Sequence, residues 1–191
     1  MTRQTLKIAI PMAGLGTRLR PHTWSKPKAL LQLAGENGLD HVLNQFNSLP
    51  DNFDVEYVFI VGPYQLEQVK SFMEQEYPDK KTNYPVQEVM RGQSHALWQA
   101  REYLTGPMLM VFADTLVDAD FSNLNNLGNQ AVAWVKEVPD PRRFGVAIVG
   151  EQGKVSKLVE KPSSMDNRMA VVGFYYFPSA EDLFSAIQEQ M

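Results

Sequence analysis

The chain of 191 residues contains no cysteine, which excludes disulfides, zinc-thiolate centres and thiol nucleophiles together. No hydrophobic run approaches the roughly 18 residues a membrane helix needs. Met1 to Thr5 passes straight into a strand-like stretch without a signal-type cleavage site, so a cytoplasmic protein with no membrane partner is expected. Positive charge is also scarce. The net charge is -4, which offers no basic face to nucleic acid. Any polyanion bound here has to be small and held by local groups. Repeats, low-complexity tracts and linkers are absent too, so a single domain over residues 1–191 is expected. The three histidines lack metal-ligand spacing. What remains is 44% hydrophobic and 21% charged, the balance of an ordinary globular domain with one sizeable core.

Strand and helix patterns alternate through the first two thirds. Leu6 to Ala13 is a short apolar run closed by glycines and reads as a buried strand feeding a loop. Leu39, Val42, Leu43 and Phe46 recur with helical period up to Pro50, and Val55 to Val61 is the next strand. Leu66, Val69, Phe72 and Met73 mark a second helix over Gln65 to Tyr77, followed by an extended run from Tyr84 to Val89. Ser94 is placed to cap a helix from His95 to Leu104. Met108 to Ala113 is apolar at every residue, as a central strand covered on both faces would be. From Ala131 the pattern becomes more antiparallel, with strands at Ala131 to Val138, Gly145 to Val149, Val155 to Glu160 and Ala170 to Phe177. A last amphipathic helix starts at Ala180. The expected fold class is α/β, a three-layer α/β/α sandwich with a mixed, mostly parallel sheet.

The segment Ala13-Gly-Leu-Gly-Thr-Arg-Leu-Arg-Pro-His-Thr-Trp-Ser-Lys-Pro-Lys-Ala-Leu-Leu31 carries the most chemistry. Two glycines at a strand end permit close backbone approach, with N–H groups turned toward an anion, and Arg18 and Lys28 add charge where phosphates would lie. The Walker pattern Gly-x-x-x-x-Gly-Lys-Ser/Thr is absent. A dinucleotide fingerprint would need glycine where Leu19 stands, and Pro21 sits poorly in the helix that should follow. A plain glycine turn with solvated basic residues stays open on this ground alone.

Two further places draw attention. Gln87-Glu-Val-Met-Arg-Gly92-Gln-Ser-His-Ala96 follows a strand and opens a helix, and a capped helix start would explain it without any ligand. Asp114 ends the all-apolar run, so its carboxylate emerges at the carboxyl end of a central strand, where open α/β sheets bind ligands. Magnesium is held by one or two protein carboxylates, with phosphate and water completing its shell, so one aspartate is a sufficient start. Asp114 as a cap for Thr115 to Asp120 is the structural alternative.

The string Gly-x-Gly-Thr-Arg-Leu-x-Pro-x-Thr, followed by Pro-Lys and two apolar residues, closely resembles the signature of the sugar-1-phosphate nucleotidyltransferases, or NDP-sugar pyrophosphorylases. The resemblance extends over nearly the whole chain. It implies a Rossmann-like nucleotide-diphospho-sugar transferase fold and two substrates, a nucleoside triphosphate and a sugar 1-phosphate. It also implies Mg2+ as cofactor. By resemblance, Ala13, Gly14, Gly16 and Thr17 cradle the triphosphate, while Arg18 and Lys28 are catalytic, gripping the displaced and the reacting phosphates. Gln87 and Gly92 keep the spacing with which pyrimidine-using members read the base, pointing to UTP or dTTP. Asp114 takes the metal, with Ala113 where many members have glycine. Gly145 and Glu160 hold sugar hydroxyls, and Lys161 the sugar phosphate. Val172 stands where many members place a hydrogen-bonding threonine or asparagine.

The reaction so implied is attack of a sugar-phosphate oxygen on the α-phosphorus with loss of pyrophosphate. A phosphate monoester with a second pKa near ~6 needs no general base at neutral pH, which suits a chain without a catalytic triad. The family usually adds a second metal-binding aspartate beyond the strand matching Ala170 to Phe177, and only Asp182 follows here. The expected domain therefore lacks the C-terminal part of typical members. Other readings stay open: a catalytically weak or inactive nucleotide- or sugar-phosphate-binding module with a regulatory role, and a transferase acting on another phosphorylated alcohol. Self-association is compatible with the sequence and not specified by it.

Overall fold

The structure is a computed structural model that describes residues 3–118 and 120–190. Met1, Thr2, Ala119 and Met191 lie outside it, so the expectations touching the extreme N-terminus and a turn through Ala119 are not addressed at those positions. The chain divides into two compact units, residues 1–131 with 176–191 and residues 132–175.

The first unit is built on β1 (Gln4–Pro11), the strand expected over Leu6 to Ala13. A loop and a minimal hairpin, β2 (Gln32–Leu33) and β3 (Glu36–Asn37), lead to helix α1 (Gly38–Asn44). Then come β4 (Phe53–Ile60), α2 (Leu66–Glu76), β5 (Lys81–Asn83), α3 (Gln93–Gln99) and β6 (Met108–Val111). Strands β5, β4, β1 and β6 lie side by side in that order, all parallel. Ile8, Ala9 and Ile10 are buried in succession, as are Tyr57 to Ile60 and Met108 to Val111. Consecutive burial means both faces of the sheet are covered, the arrangement the continuous apolar runs called for. The helices bury one stripe each: Leu39, Val42 and Leu43 on α1, Val69 and Met73 on α2, Ala96 and Leu97 on α3. The last helix, α4 (Ala180–Gln190), begins at the expected residue and buries Ala180, Phe184 and Ile187.

The second unit is antiparallel. It holds β7 (Val132–Glu137), β8 (Gly145–Val149), β9 (Val155–Glu160) and most of β10 (Met169–Phe177). Strand β8 pairs with β9 and with β10, and β7 with β10. Parallel and antiparallel pairing thus both occur, as a mixed sheet class requires.

Two local expectations are corrected. The strand placed over Tyr84 to Val89 lies upstream at Lys81–Asn83, and only Val86 in the later stretch bridges, to Val61. Both runs are β-competent, and pairing with β4 decides between them: Glu56, Tyr57 and Val58 face Lys81, Thr82 and Asn83. Ser94 does not cap a helix. Helix α3 starts two residues earlier than expected, at Gln93 with Gly92 at its N-cap, and turns replace helix after Gln99. Gly92 has φ +96°, an entry conformation that glycine adopts without the strain a side chain would incur.

Candidate functional site

A cavity of about 460 Å³ opens at the carboxyl ends of β1 and β6, a volume typical of small-molecule sites. Its wall includes Ala13, Gly14, Gly16 and Lys28 from the glycine loop, Gln87 and Gly92 from the entry to α3, and Asp114 after β6. Seven positions singled out in the sequence therefore meet around one space, although 101 residues separate the first from the last. Thr17 and Arg18 are placed differently. They lie exposed on the short 3-10 turn Thr17–Leu19, and neither lines the cavity.

The loop owes its shape to identifiable contacts. Gly16 sits in the left-handed region at φ +58°, and a Cβ there would come within 2.9 Å of Thr23 Cγ2. The Gly16 carbonyl accepts from Thr23 Oγ1 at 2.8 Å and from the Leu19 N–H at 2.9 Å. The Tyr64 hydroxyl donates to the Ala13 carbonyl at 3.1 Å, and Gln65 Nε2 donates to the Gly14 carbonyl, also at 3.1 Å. Gln65 is only 1% exposed, and its Oε1 accepts the Gly62 N–H at 2.8 Å. These bonds tie successive loop carbonyls to the protein. Sequence reasoning passed over Tyr64 and Gln65; the available signal was a tyrosine and a long amide side chain in succession after the Gly62-Pro63 strand exit.

Lys28 is presented by a second short turn, Lys28–Leu30, whose neighbours Pro27, Ala29 and Leu30 are buried. Burying both flanks fixes the backbone and leaves the ammonium half-exposed at the cavity, where it forms an ion pair with the Asp114 carboxylate. In water-accessible surroundings such a pair is weak and readily exchanged. An entering phosphate and a divalent cation would supply each group with a stronger partner. Asp114 does not cap a helix, since residues 115–118 form none; the Thr115 N–H closes a turn on the Phe112 carbonyl instead. The segment after Asp114 is held by Gln45, whose Nε2 donates to the Thr115 carbonyl at 3.2 Å and whose Oε1 accepts the Val117 N–H.

Gln87 is almost fully buried, and its Nε2 donates to the Gly92 carbonyl at 3.1 Å. The same nitrogen lies 2.9 Å from His95 Nδ1. The capped-helix alternative thus contains some truth, because Gln87 braces the start of α3 while lining the cavity.

In the second unit, Gly145 opens β8 directly opposite Glu160 at the end of β9. A Cβ on Gly145 would stand 3.1 Å from Glu160 Oε2, so glycine makes room for that carboxylate. Lys161 follows at φ +45°, uncommon for a residue with a side chain, and its N–H donates to the Phe144 carbonyl at 2.9 Å. Its ammonium lies 3.6 Å from Glu160 Oε1, with both side chains exposed. Burial, followed by the negative charge of Glu160, raises the Tyr175 phenol above its usual range. Val172 is half-buried within β10, and Phe174 and Tyr176 are core residues. Asp182 lies in the first turn of α4, where its N–H bonds to Ser179 Oγ at 3.2 Å.

A glycine loop, a lysine and a carboxylate gathered at the carboxyl end of a parallel sheet define an α/β protein of the phosphate-handling class. The chain belongs to the nucleotidyl transferase family, whose model matches residues 9–190, and within it to the sugar-1-phosphate nucleotidyltransferases. It is 30% identical over 151 residues to the bifunctional protein GlmU of Methanococcus vannielii, a match covering 79% of this chain and 34% of that protein. It is 26% identical to the UTP–glucose-1-phosphate uridylyltransferase AglF of Haloferax volcanii, covering 92% of this chain and 73% of the relative. Among solved structures, a glucose-1-phosphate thymidylyltransferase from Bacillus anthracis in complex with a sucrose superposes with a TM-score of 0.83. That match has 26% identity and covers 97% of this chain and 76% of the other. A UDP-glucose pyrophosphorylase, 19% identical with a TM-score of 0.79, shares the fold. The chain spans about a third of the length of the GlmU relatives it matches.

No helix among the described residues is long and apolar enough to cross a membrane.

Proposed function

We propose that this chain transfers a nucleotidyl group from UTP or dTTP to a sugar 1-phosphate, releasing pyrophosphate. The observation carrying the proposal is the single cavity shared by the glycine loop, Lys28, Gln87, Gly92 and Asp114. The triphosphate lies along Ala13, Gly14, Gly16 and Thr17, and Arg18, on the exposed turn outside the cavity wall, grips the displaced phosphates. Lys28 neutralises charge on the reacting phosphates. Gln87 and Gly92 meet the base. In the second unit, Gly145 and Glu160 take the sugar hydroxyls, and Lys161 takes its phosphate.

In the chemical step one oxygen of the sugar phosphate bonds to the α-phosphorus, the bond from that phosphorus to the bridging oxygen breaks, and pyrophosphate leaves with the electron pair. Catalysis then consists of positioning and charge neutralisation. The donor set suits Mg2+: Asp114 is a hard oxygen ligand beside the phosphate loop, and phosphate oxygens complete such a shell. When bound, the ion neutralises developing charge on phosphate oxygens.

The test is a matrix of triphosphates against sugar 1-phosphates with pyrophosphate detection, run with and without Mg2+. Mg2+-dependent release from UTP or dTTP with at least one sugar 1-phosphate is the expected result. A second reading, a binding module that does not turn over, is favoured by one observation: Arg18, expected to be catalytic, lies exposed on the turn Thr17–Leu19 and does not line the cavity. Ligand-induced stabilisation without pyrophosphate release from any pair would establish that reading instead.

A further inference from the structure

The hydrogen bonds around Gln87 assign a role to a residue the proposed reaction does not use. Gln87 is 4% exposed and lines the cavity. The Gly92 carbonyl, 3.1 Å away, can only accept, so the amide nitrogen of Gln87 has to face it. The second amide hydrogen is directed at His95 Nδ1, 2.9 Å away, which therefore acts as an acceptor. The imidazole proton then resides on Nε2, which faces the side-chain amide of Gln99 at 3.2 Å. Gln99 is exposed, so turning its amide presents the oxygen to that proton.

Both amide hydrogens of Gln87 are thus committed inside the protein. Its Oε1 accepts no hydrogen bond among the described residues, yet it is not a sealed, unsatisfied atom. A buried side chain that lines a cavity and has one uncommitted atom displays that atom to whatever enters. Here the atom is a lone acceptor.

We infer that His95 is a positioning residue that locks the Gln87 amide with its oxygen toward the cavity, so that the site selects a nucleobase carrying an N–H at the edge it presents there. This inference rests on the proposed function and sharpens its base specificity. With sugar and triphosphate fixing the ring, position 3 of the base meets Gln87 Oε1. Uracil and thymine carry an imide N–H at that position, whereas cytosine carries a lone pair and meets oxygen with repulsion. Without His95, Gln87 is held only by the bond to Gly92, so turning its amide becomes easier and discrimination between the two bases weakens.

The test measures equilibrium binding of UTP, CTP and 3-methyl-UTP, with inorganic tripolyphosphate as a probe that carries no base. The intact chain is expected to prefer UTP over both CTP and the N3-methylated analogue by roughly a hundredfold, the upper end of what one buried polar group left unsatisfied costs. His95→Ala, which keeps a strong helix former in α3, should reduce the preference for UTP over CTP by about tenfold and leave tripolyphosphate binding unchanged. His95→Asn, whose side-chain oxygen can accept in place of Nδ1, should restore most of the preference.

Equal binding of UTP and 3-methyl-UTP by the intact chain would overturn the inference without any variant. So would an unchanged UTP preference in His95→Ala. Should the intact chain bind none of the three nucleotides, the nucleotide-binding reading itself would fall, and the inference with it.

Discussion

At the residue scale, the charges and glycines of the loop have separable duties. Lys28 is held by buried neighbours and faces Asp114, so its ammonium is positioned before any substrate arrives. Lys28→Ala should lower kcat by about a hundredfold while changing the Kd for UTP only severalfold, because charge neutralisation matters most as pyrophosphate departs. Steady-state kinetics beside direct binding separates the two, and equal losses would make Lys28 a binding residue only. Gly16 has a conformational duty. Gly16→Val combines a left-handed backbone with a methyl-sized atom 2.9 Å from Thr23, so a loss of about 1–3 kcal/mol is expected in urea unfolding, with triphosphate affinity falling as well. A variant as stable as the parent would show that the loop relaxes freely.

At the element scale, the site depends on how loops are tied to strands and helices. Gln65 joins the exit of β4 to the glycine loop through two bonds made from a buried position. Gln65→Leu leaves the Gly62 N–H and the Gly14 carbonyl without that partner, which should cost about 2 kcal/mol or more in chemical denaturation and raise the KM for UTP. A structural role without influence on the loop would leave KM unchanged.

The start of α1 makes a similar point through pH. Burial pushes the Asp40 carboxyl up, but hydrogen bonds from Tyr77 and from the Asn37 backbone and side chain outweigh it, so Asp40 lies below its usual range. A lowered carboxyl contributes stability that is present above its unfolded value near ~3.9 and is lost as pH falls through the folded value. Removing the 2.6 Å bond from the Tyr77 hydroxyl by Tyr77→Phe should cost about 0.5–1.5 kcal/mol at pH 7. The gap should close as Asp40 protonates in the acid range. Urea midpoints compared at pH 7 and at pH 3 check both the sign and the window.

At the scale of the whole molecule, binding has to register as stability, because a ligand held only by the folded state shifts unfolding by mass action. UTP with Mg2+ at a hundred times its Kd should stabilise the chain by about 2.7 kcal/mol. Removing Mg2+ with a chelator should reduce the shift, since in the proposed arrangement the triphosphate would then confront Asp114 without a counter-ion between them. A shift independent of the metal would separate nucleotide binding from Asp114.

Much of this was legible before any coordinates. Continuous apolar runs announced β1 and β6 because a strand covered on both faces tolerates no polar residue. The loop from Ala13 to Leu31 pointed to a binding site because few backbones need two glycines, a lysine and an arginine so close to a strand end, and Ala13, Gly14, Gly16 and Lys28 do line the cavity. Local chemistry of this kind is written along the chain. What the sequence could not supply was whatever depends on partners distant in sequence. Lys81–Asn83 won over Tyr84 to Val89 as β5 through pairing with β4. Gln65 reaches back 51 residues to the Gly14 carbonyl, and Gln87 is held by His95 from the next helix. The sequence alone determined the class of fold, the family and the residue types in the cavity. Only the tertiary structure decided which atom each side chain turns inward, because that choice is made by hydrogen bonds between segments that meet only once the sheet has formed.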